Sequence, residues 1–568
     1  MYDLIIRNGT IYDGRGGEPF IADLAVQDKK IVKIGVINDA GKLEIDAKDK
    51  IVTPGFVDIH THYDGQVTWD PFLRPSTYHG VTTVVMGNCG VGFSPCKPDK
   101  RDWLISLMEG VEDIPGTALH EGIDWEWESF PEYLDTLEKK PLAIDVGTQI
   151  PHGAVRAFVM GERGINQEDA SDLEIEQMGQ IVKEAIEAGA YGFSTSRTIK
   201  HRDSKGAPTP SLTAHKKELV AIAKAVGELN KGVLQGISDF YDFKSEFDIF
   251  KDMSKESGRP ISITVEQQDA RPDWWLQLLD GITEAQEEGI KMYGQVPPRA
   301  TGILMGLTAS LNPFTLHPSF MEIASLSLEE KVAKMQGTEF RNKILSEKPI
   351  SIDNPLLDEI ITSFNKMFRL GEPANYEPEP ESSALSESKR KNISPQEVLY
   401  DMLLEKKGNA LIYHPLFNYE PGNLDHVETM LNHPHTIFGL GDAGAHCGAI
   451  SDASFPTTLL QHWGRDRTAG NKFPLERLIK MQTSETSELL GIIDRGALEV
   501  GLKADINIID FKNLTIHEPE IIYDLPAGGK RLMQKASGYE YTIVSGEVAF
   551  RKGEATGALN GKLIRNLH

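Results

Sequence analysis

Apolar positions along this chain fall into two textures. Near both ends, short runs alternate apolar and polar residues with a period of two, the mark of strands with one buried face. Tyr2-Asp-Leu-Ile-Ile-Arg is one such run, closed by an Asn8-Gly9 turn. Residues 21–26 and 31–36 follow, the second after a turn at Asp28-Lys-Lys. Residues 504–511 repeat the style, and 541–550 read as a hairpin turning at Ser545-Gly546. Neither group has enough strands to bury a core alone, so the two ends are expected to pair into one small β-sandwich. The glycine-rich stretch 552–567 predicts an extended tail packed on the surface.

Between the ends, short apolar runs alternate with stretches of helical spacing. Eight strands are predicted, at 52–62, 81–89, 144–152, 190–197, 232–239, 260–266, 291–297 and 436–442. Helical periodicity is clearest over 172–188 and 212–229. Eight strand–helix units predict an α/β fold, a (β/α)8 TIM barrel, whose working residues sit at the carboxyl ends of the strands. A doubly wound open sheet would need a phosphate-binding glycine fingerprint that this chain lacks. The expected division is 1–52 for the first part of the sandwich, 53–490 for the barrel and 491–568 for the second part with the tail. An insertion at about 298–435 holds helices at 328–336 and 395–404 and is expected to form a subdomain over the barrel mouth. Its Pro/Glu/Ser-rich piece, 377–391, reads as an exposed or mobile loop.

Chemistry concentrates at the predicted strand ends. The stretch Ile51-Val-Thr-Pro-Gly-Phe-Val-Asp-Ile-His60-Thr-His62 closes an apolar run with two histidines one residue apart. In an extended chain His60 and His62 project to one side, and two imidazoles there can chelate a divalent metal. Strand two ends Gly87-Asn-Cys89-Gly90, which puts a thiol at the same rim, either as inert packing or as a thiolate ligand. Strand eight ends Gly441-Asp442-Ala-Gly-Ala-His446. Asp442 can bind the metal and accept a proton from metal-bound water; the alternative is an ordinary turn aspartate. A divalent ion lowers the pKa of bound water toward about 7, and the resulting hydroxide attacks a carbonyl. Asp442 would take the proton and return it to the leaving nitrogen. Other rim candidates are His152 after strand three, Arg197 and His201 around strand four, Arg299 after strand seven, and His446. The arginines could hold a substrate carboxylate bidentately, or serve as surface ion pairs and helix caps.

Bulk properties narrow the partners. A net charge of −25 over 568 residues argues against nucleic acid and anionic membranes, leaving a small-molecule substrate. Three cysteines are too few for a disulfide framework, the opening residues lack a signal-peptide pattern, and no apolar run reaches membrane-spanning length. The expectation is a cytoplasmic protein, with a homo-oligomer possible on size alone.

These residues carry a resemblance. The opening LIIRNGTIYDG, then PGFVDIHTHYD, GVTTVVMGNCG, IPHGAVRAFVMG, AYGFSTSR, FGLGDAGAH and the closing DRGALEVGLKADINIIDF resemble, in order and over nearly the whole chain, the amidohydrolase superfamily and its N-acyl-D-amino-acid deacylase (D-aminoacylase-like) family. The resemblance implies a metal-dependent TIM barrel with a small β-sandwich, and zinc. It matches His60, His62, Cys89 and Asp442 to metal ligands, with Asp442 also the catalytic acid/base. D-aminoacylases carry further metal-binding histidines after strands five and six. Here those strands read Leu234-Gln-Gly-Ile-Ser-Asp239 and Ile261-Ser-Ile-Thr-Val-Glu266, without histidine. One zinc ion per chain is therefore expected, with Asp239 or Glu266 as substitute ligands or as backbone and substrate contacts. The reading is hydrolysis of a linear C–N bond, as in an N-acyl (D-)amino acid. Its rivals are a cyclic-amide or lactone hydrolase, and a binding protein with a degenerate metal site.

Overall fold

The structure is a computed structural model that describes residues 1–352 and 354–567. Eight parallel strands form its centre. They are β1 (Phe56–Asp58), β2 (Val81–Met86), β3 (Asp145–Thr148, continued by Ile150–Pro151), β4 (Gly192–Arg197), β5 (Val233–Ser238), β6 (Ile261–Thr264), β7 (Met292–Val296) and β8 (Thr436–Phe438). Each pairs with the next in parallel register. The break in β3 is bridged by Gln149, whose N–H reaches Met86 O at 2.9 Å. The order returns to its start through a parallel bridge between Thr61 and Ala443. There the His62 N–H donates to Ala443 O (2.8 Å) and the Asp442 N–H to His60 O (3.0 Å). All eight strands thus turn their carboxyl ends to one rim, as the apolar pattern predicts.

Burial on both faces explains why these runs read as continuous apolar stretches; every residue of β2 is buried. Val57, Val85, Val233 and Ile437, from four different strands, meet in one apolar cluster and fill the lower lumen. Two residues along, the inward positions turn polar, with Gln235 on β5 and Gln295 on β7. The outer helices follow their periodicity. The predicted helix over 172–188 forms as Asp172–Ala188, opened by a Ser171/Glu174 capping box and stopped at Gly189, whose φ is 114°. The one predicted over 212–229 begins only at Lys216, because the preceding residues are used in a turn from Ser211 to Ala214.

The chain ends do pair. Strand Ile506–Ile509 lies between Ile51–Pro54 from the start of the chain and Tyr539–Val544 from its end. Together with the other terminal strands they make one nine-stranded sheet. Strand Tyr2–Ile11 forks it, since residues 2–7 pair with Gly41–Asp46 and residues 10–11 with Ile51–Pro54. In hydrogen-bonding terms the expected sandwich is this single forked sheet.

Three expectations are corrected. Asn8-Gly9 is no turn but a bulge inside strand Tyr2–Ile11, with a register shift between Ile6 and Gly9. The strand predicted over 52–62 is two strands. Ile51–Pro54 belongs to the terminal sheet and Phe56–Asp58 to the barrel, and Gly55 between them lies so close to Thr82 that a Cβ would sit 2.1 Å from its Oγ1. His60 and His62 therefore lie just beyond a strand end. Finally, residues 377–391 are neither exposed nor free as a whole. The Glu377 side chain is buried against Arg467 (3.2 Å) and His462 (2.7 Å), and Ala384–Lys391 is a helix. Composition marked this piece as polar; an arginine some ninety residues on supplies the charge that holds it.

The rest of the insertion builds its own core, in which Met305, Phe314, Tyr400 and Leu403 are buried together, around a three-stranded sheet. The tail is seated rather than loose. Gly561 and Leu563 bridge to Leu142 and Val146 beside β3. Among the described residues no helix is long and apolar enough to cross a membrane.

Candidate metal centre

His60 and His62 leave β1 with both rings buried, 1 % and 2 % exposed, and ring centroids 5.5 Å apart. Cys89 joins them from the loop after β2. That loop turns tightly: Gly87 has φ 76° and a Cβ there would sit 2.1 Å from Gln149 O, so only glycine fits. Cys89 itself has φ 54°, and its N–H donates to Gln235 Oε1 at 2.8 Å. The turn delivers the thiol 3.2 Å from His60 Nε2. One ligand atom from each of His60, His62 and Cys89 lies within 4.8 Å of the others.

Asp442 closes the group. It follows β8 with φ 43°, held by its N–H to His60 O. Its Oδ1 stands 3.3 Å from His60 Nε2 and 3.4 Å from His62 Nε2. Unlike the other three, its side chain is 22 % exposed, on the open side of the cluster. A tetrahedral ion with bonds of about 2.0–2.3 Å has ligand–ligand edges of roughly 3.3–3.7 Å, close to the separations of His60 Nε2 from Cys89 (3.2 Å) and of Asp442 from the two imidazoles (3.3 and 3.4 Å). Two imidazoles, a thiol and a carboxylate are also a donor set that suits zinc.

The surroundings orient the rings. Gln295 Nε2 donates to Ser262 Oγ (2.8 Å), which turns its Oε1 toward His60 Nδ1 at 2.7 Å. In its neutral, metal-ready form His60 then carries its proton on Nδ1 and leaves Nε2, facing the thiol, as the ligand nitrogen. His62 Nδ1 lies 3.3 Å from Glu112 Oε1, at the end of helix Arg101–Glu112. Burial disfavours charge on these rings, but Cys89 and Asp442 raise His60 to about 9, and Glu112 and Asp442 raise His62 well above its ordinary value. Burial would push the two acids up, yet the imidazoles hold Cys89 below its usual value and bring Asp442 to about 2. Without metal the imidazole protons thus face the Asp442 carboxylate and a thiol made more acidic than usual, and a cation would replace those protons.

The other sequence candidates separate into two groups. His201 and His446 stand at the mouth, 28 % exposed in the case of His446, and His201 Nδ1 is 2.9 Å from Ser196 Oγ. His152, Arg197 and Arg299 each engage structural partners in the fold. His152 binds Thr195 Oγ1 (2.9 Å) and Glu218 (2.8 Å). Arg197 forms a bidentate pair with Glu246 at 2.6 and 2.8 Å. Arg299, fully buried, pairs with Asp452 (3.0 Å) and lies 3.7 Å over the Tyr376 ring. Asp239 spends both oxygens on Thr198 Oγ1 and the Ile199 N–H, each at 2.7 Å, and Glu266 accepts from Thr301 at 2.7 Å. The inward positions above Gln235 and Ser262 are Ile237 and Thr264, which offer no nitrogen.

Comparison with known proteins places this arrangement. The amidohydrolase family pattern matches residues 43–550. The chain belongs to the amidohydrolase family. Within it the chain is D-aminoacylase-like. D-aminoacylase of Alcaligenes xylosoxydans xylosoxydans is 24 % identical over 565 aligned residues, covering 99 % of this chain and 97 % of the relative. A solved D-aminoacylase superposes with TM-score 0.65 at 20 % identity and full coverage of both chains. That protein is described with a binuclear centre showing one-metal activation and second-metal attenuation. N-acyl-D-glutamate deacylase of Bordetella bronchiseptica, solved with zinc and a phosphonate inhibitor, gives TM-score 0.66 at 20 % identity and 99 % coverage of both chains. These likenesses show the fold, and membership makes this amidohydrolase a metal-dependent hydrolase of C–N bonds.

Sequence reading missed Glu112, Gln295, Gln235 and Lys200. The two glutamines had a usable signal, each being a polar residue inside an otherwise apolar barrel strand. Lys200 follows β4 with its Nζ 4.3 Å over the Phe417 ring. Among the described residues no carboxylate comes within 4.0 Å of that ammonium.

Proposed function

We propose that this protein deacylates N-acyl amino acids, using one zinc ion held by His60, His62, Cys89 and Asp442. The observation that carries the reading is the close grouping of His60, His62 and Cys89 within 4.8 Å of one another, with Asp442 Oδ1 at 3.3 and 3.4 Å from the two imidazoles. Bound there, zinc supplies Lewis acidity toward a carbonyl oxygen and acidifies water. Asp442, ionised throughout the neutral range and open to solvent, accepts a proton from the attacking water and passes it to the departing amide nitrogen. Lys200 binds the substrate carboxylate, for which an unpaired ammonium on an apolar wall is suited. The insertion, through Phe417, provides that wall and acts as a lid. Ile237 and Thr264 support one ion rather than two. Three free, buried cysteines suit a reducing compartment.

The test is a panel of N-acyl-D- and N-acyl-L-amino acids, hydantoins and lactones, offered to the purified protein before chelation, after it, and after zinc return. Amide cleavage that disappears with chelator and returns with about one zinc per chain is the expected result. Ring opening of hydantoin without any amide cleavage would move the substrate to the cyclic class. A protein that takes up no divalent metal would defeat the reading altogether. Lys200→Ala should raise KM for the N-acyl amino acid by roughly 10- to 100-fold with kcat little changed.

A further inference from the structure

Glu112 has no place in the sequence pattern, yet it sits between the metal centre and the mouth. It is the last residue of helix Arg101–Glu112 and is 2 % exposed. A buried carboxylate at a helix carboxyl end faces the negative pole of the backbone and is costly without positive or N–H partners. Among the described residues its partners within 4.0 Å are two imidazoles and no lysine or arginine. Oε1 is 3.3 Å from His62 Nδ1, and Oε2 is 3.8 Å from His446 Nε2. His62 Nδ1 is buried and has no aligned hydrogen-bond partner, so this carboxylate is the acceptor within reach.

The backbone repeats the tie. Glu112 O accepts the His446 N–H. Next to it, Asp113 Oδ2 accepts the Gly448 N–H at 3.0 Å, and its carboxylate takes Ser310 Oγ at 3.0 and 3.2 Å. The helix end is thereby joined to the loop that carries Asp442 and His446, and to the insertion.

We propose that Glu112 is a positioning residue that holds His62 on one side and His446 on the other, coupling the metal-binding imidazole to the imidazole at the substrate face. A proton fixed on His62 Nδ1 by Glu112 leaves Nε2 as the ligand nitrogen, and Nε2 is the atom facing Asp442. His446, partly exposed, is kept where an entering molecule meets it. The inference rests on the proposed zinc role of His62.

Two variants test it, with zinc affinity measured by chelator competition and the cobalt-substituted protein read by visible absorption. Glu112→Gln should weaken zinc by roughly tenfold and Glu112→Ala by up to about a hundredfold, both with altered cobalt bands and native far-UV circular dichroism. His446→Asn should leave zinc affinity within about twofold while turnover falls. Unchanged zinc affinity and cobalt bands in Glu112→Gln would overturn the inference, and this near-isosteric variant decides should Glu112→Ala fail to fold. If the unsubstituted protein itself binds no zinc, the proposed function fails first and this inference with it; if it binds zinc and the Glu112 variants match it, only this inference fails.

Discussion

Two groups of buried histidine lie at the strand ends of this barrel, and they differ in what their nitrogens have left to give. His152, after β3, spends Nδ1 on Thr195 and Nε2 on Glu218, while Arg156 Nε approaches the same Glu218 oxygen at 3.2 Å. Burial lowers its proton affinity despite Glu218. His60 and His62 each turn one nitrogen to an orienting partner, Gln295 and Glu112, and bring the other beside a thiol and a carboxylate. Burial and nearby acid are common to both groups. Ring nitrogens that converge on other ligand atoms are found in only one, and that is the property that makes a site capable of chemistry.

The comparison can be broken from either side. The largest effect is expected from His60→Ala, which should abolish tight zinc binding and lower kcat/KM by on the order of 10³-fold or more, checked by metal analysis and steady-state kinetics. His152→Ala should do the reverse. It leaves Glu218 with Arg156 as its remaining partner and should cost about 1–3 kcal/mol in denaturant unfolding, with zinc content per folded chain unchanged. Loss of zinc from this variant would erase the distinction between the two groups. Cys89→Ser is gentler, with an expected drop in zinc affinity of roughly 10- to 100-fold. Undiminished affinity would return Cys89 to plain packing.

Acidity gives the finest probe. In the metal-free protein Cys89 and Asp442 outweigh burial and raise His60 from 6.5 to about 9. A raised value means that the folded chain holds this proton more tightly than the unfolded one. Its contribution is complete below about pH 6.5 and fades as pH climbs through about 9. Metal-free protein should therefore lose melting temperature by a few degrees over that interval. Zinc-loaded protein should gain affinity over the same interval, because the ion no longer competes with that proton. Parallel melting curves for the two forms would contradict the charge arrangement described for the centre.

Much of this was legible before any coordinates. Eight apolar runs separated by helical spacing specified the ring, because buried parallel strands and amphipathic helices leave distinct periods. The His60-x-His62 pair, the glycines around Cys89 and the Gly-rich turn at Asp442 pointed to the cluster, since each is a local pattern. Glu112 was invisible because its partners, His62 and His446, come from distant parts of the chain and impose no spacing on the helix between them. Arg299 is hard to read for a related reason. An arginine at a strand end looks available until Asp452, far along the sequence, is seen to claim it. Residues 377–391 misled through composition, which reports solubility and not the Arg467 that holds Glu377.

The forked terminal sheet has a consequence for how the molecule comes into being. As the chain leaves the ribosome, Ile51–Pro54 emerges long before its neighbour Ile506–Ile509. At about 5–20 residues per second, the unpaired edge stands open for tens of seconds. Through that interval an apolar strand offers free backbone donors and acceptors to any passing chain. Slow translation or crowded expression should thus harm this protein through its N-terminal strands, long before the metal centre has been assembled.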